Sequence, residues 1–134
     1  MANPQKRKGD AAEREAALLL SELLGMTVRR RLGAGRTTSA GGDTGDLDGV
    51  PGHVIQVASW ANTAAATRTK PDEAALQAVH AGVPFAATLV RFRGGTWRVV
   101  LTPQQWAAYV SWILRQSSQG TALPDLPPSS GGGA

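Results

Sequence analysis

Apolar positions recur along this chain at two spacings, and together they mark out its elements. Ala12, Ala16, Leu19, Leu20, Leu23 and Leu24 fall three and four apart, which predicts an amphipathic helix over 10–24. Asp10 and Glu13 stand three apart at its start, as the two members of a capping box do, and Gly25 is a natural stop. Positions 26–32 read as a strand carrying Arg29, Arg30 and Arg31. After a loop rich in Gly, Ser and Thr at 33–45, the stretches 45–50 and 53–59 form a hairpin around Pro51-Gly52. The Ala-rich segment 59–70 stays ambiguous, because Thr and Asn interrupt its pattern. Pro71 opens a second helix at its first position, running to about residue 80 before Gly82. The apolar run 84–92, a Gly94-Gly95 turn and the run 96–101 give two more strands. Thr102-Pro103-Gln104-Gln105 then starts a last helix, with a capping Thr, a Pro in the first turn and Gln at the box position. Trp106, Tyr109, Val110, Ile113 and Leu114 give that helix one apolar face.

The resulting order, αβββαββα, predicts an α/β fold with a mixed central sheet flanked by helices. Three segments follow from the same pattern: a polar, basic N-terminal arm at 1–9, a folded domain at 10–117 and a Pro/Ser/Gly-rich tail at 118–134, where no core can form. A chain of 134 residues suits one domain with a modest core, and a hydrophobic content of 42% suits a folded one.

Charge changes the picture more than size does. The chain has 14 Lys+Arg against 10 Asp+Glu, a net +4, and only Lys6, Lys8 and Lys70 of the basic residues are lysines. The excess of Arg favours phosphate contacts, because the guanidinium is a planar fork of donors. A basic balance permits nucleic-acid binding without requiring it. There are no cysteines, which excludes disulfides, thiolate zinc sites and cysteine nucleophiles. No apolar run approaches the roughly 20 residues that cross a bilayer. The basic start runs into an acidic, Ala-rich segment and does not read as a signal peptide. The expected location is the cytoplasm of a host cell, or a virion packaged from inside one. His53 and His80 have no second His at metal spacing and read as surface or core residues. Trp97, Trp106 and Trp112 read as core. Trp60 follows the 53–59 strand in a polar context and also reads as packing. The Gly-rich loop lacks the Lys-Ser/Thr ending of a P-loop.

The stretch most telling of chemistry is Gly45-Asp46-Leu47-Asp48-Gly49 followed by His53-Val54-Ile55-Gln56-Val57-Ala58-Ser59. With Lys8-Gly9-Asp10-Ala11-Ala12-Glu13-Arg14 before it and an Arg-bearing strand and Gly/Ser loop between, it resembles the PD-(D/E)xK nuclease superfamily. Within that superfamily it resembles the Holliday-junction resolvases of archaea and of actinobacterial phages. The resemblance spans roughly residues 8–59. It implies a restriction-endonuclease-like fold, a homodimer, DNA as partner and a magnesium site with Glu13 and Asp46 as ligands. Gln56 would stand at the second-carboxylate position. In that chemistry, carboxylates hold hard cations, the metal activates water, and a lysine two residues after the second carboxylate balances growing charge. Here the lysine position holds Ala58. Gln56 keeps a carbonyl oxygen but loses a charge, which in a pair at about 4 Å and an effective dielectric of ~20 is worth roughly 4 kcal/mol. Asp43 or Asp48 could supply another oxygen, and Arg68 or Lys70 another cation.

The resemblance implies DNA contacts by Lys6, Arg7, Lys8, Arg29, Arg31 and Arg36. Plainer roles compete. Glu13 could simply complete a helix cap, Asp46 and Asp48 could flank a turn, and the arginines could protect an edge strand. Three functions stay open at this point. The chain is a DNA-binding protein of resolvase ancestry with an impaired metal site, or a phage virion component reusing the fold and docking on particle proteins through its tail. The third is an active magnesium-dependent, structure-selective endonuclease with rearranged groups.

Overall fold

The computed structural model describes residues 4–31 and 45–120, the side chains of 4–8 and of 62 excepted. The element order is α1 (Pro4–Leu24), β1 (Arg29–Arg30), β2 (Leu47–Asp48), β3 (His53–Ser59), α2 (Thr63–Arg68), α3 (Lys70–Ala81), β4 (Phe85–Arg91), β5 (Trp97–Val100) and α4 (Pro103–Ser118). Short 3-10 turns at Trp60–Asn62 and Arg93–Gly95 follow β3 and β4. This is the expected α/β order, with the ambiguous segment after β3 resolved as a turn and a short helix leading into α3.

The strands form one mixed sheet in the order β1-β2-β3-β4-β5. β3 and β4 run parallel, from His53 opposite Phe85 to Ser59 opposite Arg91, and the other neighbours are antiparallel. A parallel pair needs a crossover, and α2 and α3 supply it. Strand alternation then sorts the core into two layers. On one face Leu47, Ile55 and Leu89 pack beneath Ala16 and Ala17 of α1. On the other, Val54 and Ala86 meet Ala74 and Ala78 of α3, while Ala58 and Val90 meet Ala66 of α2.

Several local expectations hold. Gly82, at φ +71°, ends α3 in the left-handed conformation. Thr102 caps α4, its Oγ accepting from the Gln105 amide at 3.0 Å. The Gln105 side chain does not close the box. Its Oε1 accepts instead from the Ala86 amide of β4 at 2.9 Å, because β5 pairs only as far as Thr88 and leaves that donor to be met otherwise.

Other expectations need correction. Residues 4–9 are not an arm: they are the first turns of α1. Pro4 fits a first turn, where its missing N–H costs nothing, and Gln, Lys and Arg are good helix formers. Asp10 and Glu13 therefore sit inside the helix and cannot cap it. Of the strand expected at 26–32, the described residues show a ladder at Arg29 and Arg30, and the Arg31 amide donates to the Asp46 carbonyl at 2.8 Å. Trp106 and Trp112 are not core: they are 61% and 48% exposed, and no residue of α4 is fully buried. α4 is anchored by Tyr109, which stacks on Phe85 with ring centres 4.3 Å apart beside His53. Burial there pushes the Tyr109 hydroxyl up to about 12.

Candidate functional site

The residues singled out from the sequence fall into separate places on this scaffold. Glu13 belongs to the α1 face. It is buried, and its Oε1 accepts from Arg30 Nε at 3.2 Å. Arg30 also pairs through Nη2 with Asp10 Oδ1 at 2.8 Å, so one guanidinium bridges two carboxylates a helical turn apart. Such charge-assisted bonds contribute about 1.5–3 kcal/mol each. The cation beside Glu13 is thus an arginine supplied by β1, whose register opposite Leu47 turns Arg30 toward α1.

Gln56 belongs to the opposite face. It is 3% exposed, and its Nε2 donates to Gln77 Oε1 of α3 at 2.7 Å. Two residues on, Ala58 is 6% exposed against Ala66 and Val90. Both positions where the resemblance expects charge are filled by neutral side chains inside packed layers. Thr88, the register partner of Gln56, is also fully buried, and its hydroxyl has no partner among the described residues. Nothing in the structure explains it.

Asp46 lies at the end of the β2 ladder. Its Oδ2 accepts from the Val57 amide at 2.8 Å, doing for β3 what a strand carbonyl would do. Gly45 before it, at φ +100°, would bring a Cβ to 2.9 Å from the Ile55 carbonyl oxygen, so the backbone approach depends on glycine. Asp48 pairs with Arg31. The structure brings Asp46 against β3, one residue from Gln56, but sets Glu13 and Gln56 on opposite sides of the sheet. An octahedral magnesium site needs its oxygens around one point. Glu13 and Gln56 therefore do not converge on one point, and among the described residues there is no group of three or more acidic or His side chains that could hold a metal ion.

Of the expected DNA contacts, Lys6, Arg7 and Lys8 lie on the first turns of α1. Arg36 lies outside the described residues, as do Asp43, most of the Gly-rich loop and the tail. Arg29 is exposed, and with Arg14 and Arg30 it lines an open hollow of about 490 Å³ between α1 and the β1 edge. Among the described residues neither Arg14 nor Arg29 forms an ion pair.

Two features escaped the sequence. One is Gln77, a polar residue beside Ala74 and Ala78 on the buried stripe of α3. That misfit in the apolar period is the signal of an internal polar partner. The other is Glu15, whose Oε2 accepts from Arg91 Nε at 3.0 Å and Trp97 Nε1 at 2.7 Å, tying α1 to β4 and β5. The Arg91 bond, then the Trp97 bond, hold its carboxyl below the ordinary carboxylate value.

Set against models of protein families, curated proteins and solved structures, the chain matches none. The fold and side chains define an α/β domain with arginines along one sheet edge and neutral polar groups inside its central strand. No described helix is long and apolar enough to cross a membrane.

Proposed function

We propose that this chain is a DNA-binding protein on a PD-(D/E)xK, resolvase-like scaffold that grips the phosphate backbone without cutting it. The observation that carries the reading is the contrast between the two sides of the β1–β3 region. Arg14 and Arg29 face solvent at the rim of an open hollow, whereas Gln56 and Ala58 are spent on internal packing. Exposed guanidinium groups suit phosphates. A neutral, packed β3 supplies neither the charge nor the space for a metal and its water. Magnesium has no part in this reading.

Binding of a duplex or four-way junction should fall with salt as counterions are released. With four phosphates engaged, the slope of about −3.6 on a log–log plot means about a hundredfold loss between roughly 50 and 200 mM salt. Fluorescence anisotropy measures this, and a gel assay with magnesium or manganese should show uncut junction. Salt-independent binding, no binding, or metal-dependent cutting abolished by Asp46→Ala would each overturn the proposal.

A second reading, assembly with other protein copies, is favoured by α4. Trp106, Ile113 and Leu114 share one stripe and are all exposed, Leu114 by 62%. A resolvase-like homodimer would cover this stripe by a twofold contact. Sedimentation should then show a dimer, and Trp106→Glu with Leu114→Glu should convert it to a monomer. A monomeric wild type rules out the dimer, and a larger closed assembly moves weight to a particle component.

A further inference from the structure

The carboxyl ends of the parallel strands β3 and β4 open onto a second groove, of about 320 Å³, that the reading above does not use. Its floor is Ala11 and Ala12 of α1, small enough to leave a flat surface. Its walls are Ser59 and Trp60 on one side and Arg91 with Glu15 on the other. Ser59 and Arg91 are register partners, so the groove lies where two parallel strands end side by side, the usual place for ligands in open α/β sheets. Trp60, in the first turn after β3, is 44% exposed. The Arg93 guanidinium lies 4.5 Å from the centre of its ring. An exposed indole with a cation at its face is not needed to hold the layers together, since the cores on both faces close without it.

We propose that this groove takes an unpaired base of a nucleic-acid strand, stacked on the face of Trp60 opposite Arg93, with a neighbouring phosphate met by Arg93. The inference rests on the DNA-binding reading and names its substrate class: single-stranded or unpaired segments. An aromatic platform beside basic side chains is how single strands are held without sequence readout, since every base has a π-face and every step a phosphate. The charge of the Glu15 carboxylate beside the groove is offset by Arg91, whose Nε lies 3.0 Å from its Oε2.

The test uses the full chain and two labelled probes, an oligothymidylate of about 20 nucleotides and a blunt duplex of similar length, in anisotropy titrations at low salt. Trp60→Leu should weaken oligothymidylate binding about tenfold or more, while Trp60→Phe keeps most of it. Duplex binding should stay within about twofold in both. Arg29→Ala should weaken both probes. Thymidine monophosphate in excess should not compete; efficient competition would make the groove a free-nucleotide site and overturn the inference. An unchanged oligothymidylate affinity in Trp60→Leu, or equal losses on both probes, would also overturn it, while the Arg29→Ala effect leaves the DNA-binding reading standing. Wild-type protein that binds neither probe overturns both.

Discussion

Ala58→Lys should lower the unfolding free energy by about 4 kcal/mol, read as a drop in the denaturant midpoint with little change in slope. Ala58 lies between Ala66 and Val90, each fully buried, with Phe92 and Val100 closing the layer. A lysine there must force its methylenes into a space fitted to one methyl group, and overpacking of that kind costs about 1–3 kcal/mol. It must also bury an ammonium group among the apolar side chains of Ala66, Val90, Phe92 and Val100, or lose its proton to avoid doing so. For a domain with a net stability of about 5–15 kcal/mol the sum is a large share. Adding Gln56→Glu should recover part of the loss, because positions 56 and 58 share a face of β3 and the new charges would see each other. A double-mutant cycle should give a favourable coupling of about 1 kcal/mol. This experiment bears on function as well as stability. In a working nuclease the lysine position opens on a hydrated, charged cleft. If Ala58→Lys is as stable as the wild type, that cleft is present here, and the reading of this protein as a non-cutting binder fails.

The sequence carried the elements that rest on strong local chemistry. Pro71 and Gly82 bracket α3, Thr102 and Pro103 start α4, and the apolar runs of β3 and β4 lie within a residue or two of where the pattern put them. Shorter elements were less legible, because their pairing depends on partners far along the chain. β1 is short: its ladder covers Arg29 and Arg30 opposite Asp48 and Leu47, with one further bond from the Arg31 amide to the Asp46 carbonyl. The beginning of α1 was masked by its charge: Lys6, Arg7 and Lys8 look like a solvated arm, yet they are also good helix formers behind a first-turn proline.

The candidate site was legible as residues but not as geometry. Strand alternation sets the side of Gln56 only once α3 is known to cover that face, and Gln77 fixes it there. Glu13 had a cap as its plain reading and a metal as its chemical one, and its observed partner, Arg30, is seventeen residues away. That pairing follows from the β1–β2 register, which no local pattern encodes. The exposure of Trp106 and Trp112 was illegible for a related reason. An apolar helical stripe signals burial against something, and the sequence cannot say whether that partner lies in the same chain.

Gly49→Ala should cost about 3 kcal/mol and lower the melting temperature by roughly 10 °C. Gly49 sits at φ +115°, where L side chains are strained. A Cβ there would lie 2.4 Å from the Thr27 carbonyl oxygen and 3.2 Å from Val28 Cα. Both obstacles are backbone, so no rotamer change relieves them, and β1 itself must move. Val28 is part of the core beneath α1, and Arg29 and Arg30 follow it directly. Displacing this strand therefore disturbs the Asp10–Arg30–Glu13 bridge and the arginine hollow together, and DNA affinity should fall along with stability. Gly25→Ala is the control. Gly25 is also at positive φ, +66°, but a Cβ there meets nothing within 4 Å, so only the backbone strain of about 1 kcal/mol remains. Paired thermal melts separate the two terms. If Gly49→Ala melts no lower than Gly25→Ala, the close approach of β2 to residues 27 and 28 is not present in solution. The placement of Arg29 and Arg30 on the sheet edge, and the proposed grip on phosphate with it, would then lose its structural basis.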